Sequence, residues 1–360
     1  MLVRTVRILP PGQKIRVLVV DDSVVIRRLV CHALEEDQRI EVVGVAANGR
    51  IALGRIPQVN PDVITLDIEM PEMDGLEMLR ELRRRDRAIP VVMFSTMTER
   101  GASATFEALS LGADDYVTKA SNAGSLDVSL ASLRQELIPK IRQFFEVARP
   151  ETASPAPTRG AVAPIAVHSQ RRAVAIGVST GGPAALAIVV PQFPADFPLP
   201  IFVVQHMPPL FTRLLAERLN SLTPLDVREG ADGEIPSSGH IYIAPGDRHM
   251  RLVNSGRGPI IALDQGPPLN SCRPAADALF SSLADVYGPA VVAAVLTGMG
   301  HDGMNGAQRL AARGAYILAQ DEETSVVWGM PGAVVGAGVA NEILPLASVV
   351  PAILREVDGV

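Results

Sequence analysis

At 360 residues, 48% hydrophobic and 20% charged, the chain is long enough for two globular cores and has the balance of an ordinary soluble protein. A formal net charge of -6 argues against a nucleic-acid surface, no apolar run approaches the roughly 18 residues of a membrane span, and the start MLVRTVRILPPGQK lacks the apolar centre of a signal peptide. Two cysteines in different halves, Cys31 and Cys272, give no disulfide framework, so the expectation is a cytoplasmic protein built on aliphatic α/β layers.

The first half alternates short apolar runs with helical patterns. Arg16–Val20 reads as a buried strand and Ser23 to Glu36 as an amphipathic helix. Strands over Glu41–Val45, Val63–Leu66, Val91–Phe94 and Asp115–Val117 follow, with helices near 75–85 and 101–111. This alternation predicts a doubly wound parallel sheet of the flavodoxin-like (βα)5 kind. A further helix over about 126–147 leads toward a Pro-, Ala- and Ser-rich linker at 148–172.

Carboxylates stand at the carboxyl ends of these strands. Asp21 and Asp22 follow RVLVV, and Asp67 follows VITL. With strand order 2-1-3-4-5, the ends of the first and third strands are neighbours at the switch point, and three carboxylates share one pocket. Like charges that close need a compensating cation, and a hard divalent ion with oxygen ligands, Mg2+, suits them. Asp67 is then free to attack a phosphoryl group. Ser95, ending VVMFS, offers a hydroxyl to the phosphoryl oxygens, and Lys119, ending DYVTK, offers a charge. A single Asp at a strand end is usually a cap; five such groups together are a site.

VVDDS, LDIEMPEMDGL, MFS and DYVTK resemble the receiver domain of bacterial response regulators over residues 15–135. The resemblance implies Asp67 as phospho-acceptor for a histidine kinase, and metal ligation by Asp21, Asp22, Asp67 and the backbone carbonyl of Glu69. It also implies a switch formed by Ser95 and Tyr116. Ala120 departs from the pattern, since proline usually follows the lysine.

The second half resumes the alternation, with expected strands at Ala173–Val178, Ile201–Val204, His240–Ile243, Ile260–Leu263, Ala290–Leu296 and Ala315–Ala319. Ser179 lies in GVSTGG, on a strand-to-helix turn whose glycines permit a strained backbone and close substrate approach. The same loop could cradle a phosphate, which is the rival reading. His206 follows IFVVQ, and Asp302 lies in LTGMGHDG after AVVAAVL, so all three reach one edge of a parallel sheet and satisfy the condition for a Ser-His-Asp relay. The chain order Ser, His, Asp differs from that of α/β-hydrolases. His249 is the competing base; His32, His168, His240 and His301 are poorer choices. Asp302 is also placed to cap the helix that follows it.

GVSTGGPAAL, VVQHMPPLFTRLLAERLN, IYIAPGDRHM, RPAADALF, LTGMGHDGMNG and AQDEETSVVWGMPGAVV resemble the catalytic domain of chemotaxis-type protein-glutamate methylesterases, the CheB family, over 173–355. Residues 136–172 are then a helical extension and linker. The resemblance implies hydrolysis of glutamate γ-methyl esters, with glutamine deamidation, on methyl-accepting chemoreceptors. It implies Ser179 as nucleophile, His206 as base, Asp302 as orienting acid, Thr180 in the nucleophile loop, and the Met299 N–H as oxyanion donor. Ester hydrolysis is expected to need no cofactor. The unphosphorylated receiver is expected to obstruct Ser179 until Asp67 is phosphorylated. A receiver joined to a phosphate-binding or non-catalytic receptor-binding module is the alternative. His301 stands where such enzymes commonly carry Asn.

Overall fold

A computed structural model describes residues 7–86, 88–119, 126–147 and 170–359. Ala120, His168 and most of the expected linker lie outside the described residues. The chain divides into two compact units, one to about residue 159 and one from about residue 160.

In the first unit a short strand β1 (Arg7–Leu9) precedes β2 (Ile15–Val20), α1 (Val24–Glu35), β3 (Ile40–Ala46) and α2 (Gly49–Val59). These lead to β4 (Val63–Asp67), α3 (Gly75–Arg85), β5 (Val91–Ser95), α4 (Glu99–Leu111), β6 (Asp115–Thr118), α5 (Leu126–Arg142) and β7 (Phe145–Val147). The five-stranded sheet has order β3-β2-β4-β5-β6 with every pair parallel, as the alternation of strands and helices requires. The helices are cut by local chemistry. Ser23, Asn48, Asp74 and Thr98 accept N–H groups at the starts of α1, α2, α3 and α4, and Asp74 with Glu77 forms a full capping box. The expected helix over 126–147 stops at Arg142. Beyond it the buried Phe144 and Phe145 turn the chain into β7, which pairs with β1 through register Arg7↔Phe145.

The second unit runs β8 (Ala173–Val178), α6 (Gly182–Val189), β9 (Ile201–Gln205), α7 (Pro209–Asn220), β10 (Asp226–Glu229), β11 (His240–Ile243), β12 (His249–Ser255) and β13 (Gly258–Asp264). It continues α8 (Ala276–Val286), β14 (Val291–Val295), α9 (Met304–Ala312), β15 (Tyr316–Gln320), α10 (Gly329–Gly336), β16 (Glu342–Leu344) and α11 (Val349–Asp358). Seven parallel strands form the sheet in order β10-β11-β9-β8-β14-β15-β16. The expected strand at Ile260–Leu263 is not part of that sheet: it belongs to β13, which closes an antiparallel hairpin with β12.

The central strands β8, β9 and β14 are buried along their whole length, and one face packs Phe202, Tyr242, Leu279, Phe280 and Met330 into a common core. Each such side chain contributes about 2–3 kcal/mol by leaving water. The winding reverses between β8 and β14, where a doubly wound sheet opens a crevice at its carboxyl edge.

Candidate active site

Three loops meet at that crevice. Register Val178↔Gln205 sets the exits of β8 and β9 side by side, and Gly177↔Val295 sets β14 on the other flank. Ser179 is the first residue beyond β8. Its N–H donates to Thr297 O at 3.0 Å, and its carbonyl accepts from the Gly182 N–H at 2.8 Å and from Gln205 Nε2 at 3.0 Å. The chain thus turns sharply from strand to helix. Gly181 has φ +76°, and a Cβ there would lie 2.7 Å from Val326; a Cβ on Gly182 would lie 1.9 Å from Gln205 Oε1. Both glycines are needed for the loop to pack on its own protein, which accounts for GVSTGG without a phosphate.

His206 follows β9, and its Nε2 lies 2.8 Å from Asp302 Oδ2. Asp302 is only 2% exposed, and both its oxygens are engaged. Oδ2 also accepts the Ala276 N–H at 2.6 Å; Oδ1 accepts Asn270 Nδ2 at 2.9 Å and the Asp277 N–H at 3.1 Å. Asp302 therefore caps α8, while the expected cap position before α9 belongs to Gly303. The ring of His206 cannot pivot without breaking the Asp302 bond. Its second nitrogen, Nδ1, lies 3.5 Å from Cys272 Sγ, and among the described residues Ser179 Oγ makes no hydrogen bond to it. In serine–histidine catalytic pairs generally, that contact is often open without substrate.

Burial opposes charge on His206, yet the hydrogen bonds to Asp302 and Cys272 outweigh it and raise the imidazole from 6.5 to about 10. For Asp302, burial pushes the carboxyl up, and the bond and charge of His206 with the Ala276 and Asn270 donors push it further down, for a net lowering. An imidazolium–carboxylate pair results. A neutral imidazole held at Nε2 can take a proton at Nδ1.

Thr180 is buried, and its carbonyl accepts Thr297 Oγ1 at 2.9 Å, tying the loop after β8 to the β14 exit. Met299 is 39% exposed, and its N–H makes no hydrogen bond among the described residues. The competing histidines are engaged elsewhere. His249 is fully buried in β12 with Nε2 3.1 Å from Pro267 O, and His240 opens β11 at the opposite edge, held by Ser237 and Ser238. Asn270, Cys272 and Asp277 carry no strand-end or glycine signal; their roles come from a tight turn and a helix start.

In the first unit Asp21, Asp22 and Asp67 bring ligand oxygens within 4.8 Å of one another. Asp21 Oδ1 accepts the Ser23 N–H at 2.8 Å. Its Oδ2 and Asp67 Oδ2 are buried without hydrogen bonds and face Lys119 Nζ at 3.1 and 2.7 Å. Burial, seconded by the Asp21 charge, lifts the Asp67 carboxyl to about 6 against the pull of Lys119. Two buried oxygens lacking hydrogen bonds, beside an exposed third carboxylate, fit a hard divalent cation. Glu69 pairs through its side chain with Arg100 at 3.6 Å, and its carbonyl accepts no hydrogen bond among the described residues.

The Ser95 hydroxyl is engaged by α4: it donates to Gly101 O at 3.0 Å and lies 2.6 Å from Thr105 Oγ1. Tyr116 is buried, with Lys140 Nζ 4.9 Å from its ring centroid. Lys140 Nζ also donates to the Tyr116 carbonyl and lies 3.5 Å from Asp115 Oδ1.

No helix of the described residues is long and apolar enough to cross a membrane. A family profile described as CheB methylesterase matches residues 174–353, and one described as response regulator receiver domain matches 17–131. A protein-glutamate methylesterase/protein-glutamine glutaminase of Trichodesmium erythraeum is 48% identical over 96% of this chain and 99% of its own. One of Nocardioides sp. is 50% identical over 96% of this chain and 95% of its own. The solved catalytic domain of the Thermotoga maritima CheB methylesterase is 41% identical, covers 53% of this chain and all of its own, and superposes with TM-score 0.51. Similarity that spans both units makes the chain a member of the CheB family, in which a response-regulator receiver precedes a methylesterase domain.

Proposed function

We propose that the chain hydrolyses glutamate γ-methyl esters on methyl-accepting chemoreceptors and deamidates receptor glutamines, under the control of phosphorylation at Asp67. The observation that carries this is the His206 Nε2–Asp302 Oδ2 bond of 2.8 Å beside the Ser179 turn. His206 Nδ1 takes the Ser179 proton as Oγ attacks the ester carbonyl, and Asp302 stabilises the imidazolium that forms. The Met299 N–H donates to the developing oxyanion, joined by the Ser179–Thr180 turn at the head of α6. Methanol leaves with the proton from His206. Water then repeats the sequence on the acyl-enzyme, freeing the glutamate and Ser179; from a glutamine, ammonia leaves in place of methanol.

In the receiver, Asp67 is the acceptor for a histidine kinase of a chemotaxis-type system. Asp21, Asp22, Asp67 and the Glu69 carbonyl would hold Mg2+, which when bound supplies positive charge to the phosphoryl oxygens. Lys119 transfers its contact from the carboxylates to those oxygens. Ser95 turns from Gly101 toward them, and Tyr116 follows in a population shift.

Methanol release from methylated receptor membranes tests the reading. Ser179→Ala is expected to abolish release with and without a phosphodonor, and release that persists overturns the serine assignment. Asp67→Ala is expected to remove acetyl-phosphate labelling while unstimulated hydrolysis survives; continued labelling moves the phosphosite.

A further inference from the structure

Asn270 and Ser271 take left-handed backbone angles, φ 50° and 63°, inside a turn closed by Leu269 N–H to Cys272 O at 3.0 Å and Cys272 N–H to Leu269 O at 2.8 Å. The turn grips both members of the imidazole–carboxylate couple. Asn270 Nδ2 bridges Asp302 Oδ1 and Asp277 Oδ2, each at 2.9 Å, which pins the turn. Cys272 Sγ is thereby set 3.5 Å from His206 Nδ1, on the side of the ring that must meet Ser179.

The direction of the thiol contact follows from its second partner. Cys272 Sγ donates to the Asn270 carbonyl at 3.4 Å, so its S–H proton is engaged there and a sulfur lone pair is left for Nδ1. With Nε2–H held by Asp302, an Nδ1–H aimed at sulfur describes the doubly protonated ring, which cannot act as a base.

We infer that Cys272 is a positioning residue of the ester hydrolase: its sulfur accepts the Nδ1–H of the His206 imidazolium and holds the base idle until that proton is lost. The inference rests on the assignment of Ser179, His206 and Asp302 above. Cys272 competes with Ser179 for one nitrogen, and so sets the pH at which the site turns on. The titratable groups against His206 are Asp302 and Cys272. Behind Asp302 stands Asp277, whose carboxylate is occupied by the Gly306 N–H at 2.7 Å and by Asn305 and Asn270. The Cys272 hydrogen bond to His206 favours the charged ring, in agreement with the geometry.

The test is the pH dependence of kcat/KM for methanol release from methylated receptor membranes, on the full chain without phosphodonor, for the wild type, Cys272→Ala and Cys272→Ser. Loss of one weak hydrogen bond to the imidazolium should move the acid limb of Cys272→Ala down by roughly half a pH unit, about a threefold gain in kcat/KM on that limb. The serine variant, which retains an acceptor, should lie between Ala and wild type. A merely structural cysteine would scale the profile at every pH and leave its midpoint fixed, and that result overturns the inference. Ser179→Ala, run alongside, keeps the two readings apart. If it retains activity the relay itself is wrong, whereas a dead Ser179→Ala with an unmoved Cys272→Ala midpoint sinks only the role of Cys272.

Discussion

Asp302 and Asp277 each hold the helix that belongs to the other. Asp302, two residues before α9, accepts the Ala276 and Asp277 N–H groups that open α8. Asp277, in the first turn of α8, accepts the Gly306 N–H of α9 at 2.7 Å and Asn305 Nδ2 at 3.1 Å. The acid that pairs with His206 is therefore also a structural member, held by His206, by Asn270 and by the N-terminus of α8, all of which favour its charge. This explains how a carboxylate 2% exposed stays ionised.

Asp302→Asn is predicted to fail twice. An amide cannot hold an imidazolium, so kcat for methanol release should fall by about 10^3 to 10^4. Its remaining oxygen cannot serve every donor that the carboxylate serves, so unfolding free energy at pH 6 should drop by about 1–3 kcal/mol. Asp302 is lowered from 3.8, so its share is present above that pH and is lost as pH falls through the folded value. His206 is raised, so its share is full below 6.5 and disappears as pH rises toward about 10. Urea unfolding at pH 3, 6 and 10 should show the largest gap between wild type and variant at pH 6.

Gly298→Ala probes the close approach of two loops. A Cβ at position 298 would lie 2.5 Å from Met330 Sδ and 2.8 Å from Ser179 Cβ. Met330 can give way, but the Ser179 Cβ is fixed to its own backbone, so the Ser179 turn itself must shift. A displacement of this size should cost about 10^2-fold in kcat/KM for methanol release, with stability changed by roughly 1–3 kcal/mol. Full activity in a folded Gly298→Ala would mean that the Ser179 turn is not held where the β14 loop puts it.

Asp21, Asp22, Asp67, Ser179 and His206, legible in the sequence, share one feature: each stands at or just beyond the end of a largely apolar strand. VITL, RVLVV, AVAIGV and IFVVQ announce their ends, and side chains at the carboxyl edge of a parallel sheet converge by topology alone. Asn270 and Cys272 act from a turn whose left-handed residues include no glycine, and Asp277 from inside a helix, so no period or spacing marks them. The strands that went unread were β1, β7, β10, β12 and β16. They are three or four residues long or, as in HMRLVNS, mix polar residues into a hairpin away from the main sheet. The helix read through 147 failed for a related reason: Phe144 and Phe145 continue an apolar pattern that strand pairing with β1 turns to its own use.

Asp67→Asn should stabilise the receiver at neutral pH when divalent ions are chelated. Burial and the Asp21 charge raise the carboxyl from 3.8 to about 6, so the folded state holds its proton more tightly than the unfolded state. The wild type therefore loses stability relative to Asn as pH rises from about 4 through about 6, and the two converge below that window. A gain of roughly 1–3 kcal/mol at pH 7 is expected in urea unfolding followed by receiver-specific amide exchange. Mg2+ should narrow the gap by stabilising the wild type; an Asn variant less stable at pH 7 without metal would show that Lys119 outweighs burial.

Thr105→Val addresses the switch. Thr105 is fully buried, and its hydroxyl lies 2.6 Å from Ser95 Oγ and 2.8 Å from Gly101 O, while Ser95 donates to Gly101 O. Both contacts favour the orientation that points Ser95 toward α4. Valine keeps the shape and removes one of them, which lowers the barrier of preference by about 1 kcal/mol, or fivefold in the ratio of orientations. The phosphorylated form, which needs the other orientation, should be reached at about one-fifth of the acetyl-phosphate concentration, read as half-saturation of Asp67 labelling. Ser95→Ala, lacking the hydroxyl altogether, should erase the effect of the second substitution. Equal half-saturation for wild type and Thr105→Val would show that the bond to Thr105 persists, or counts for nothing, when Asp67 carries its phosphoryl group.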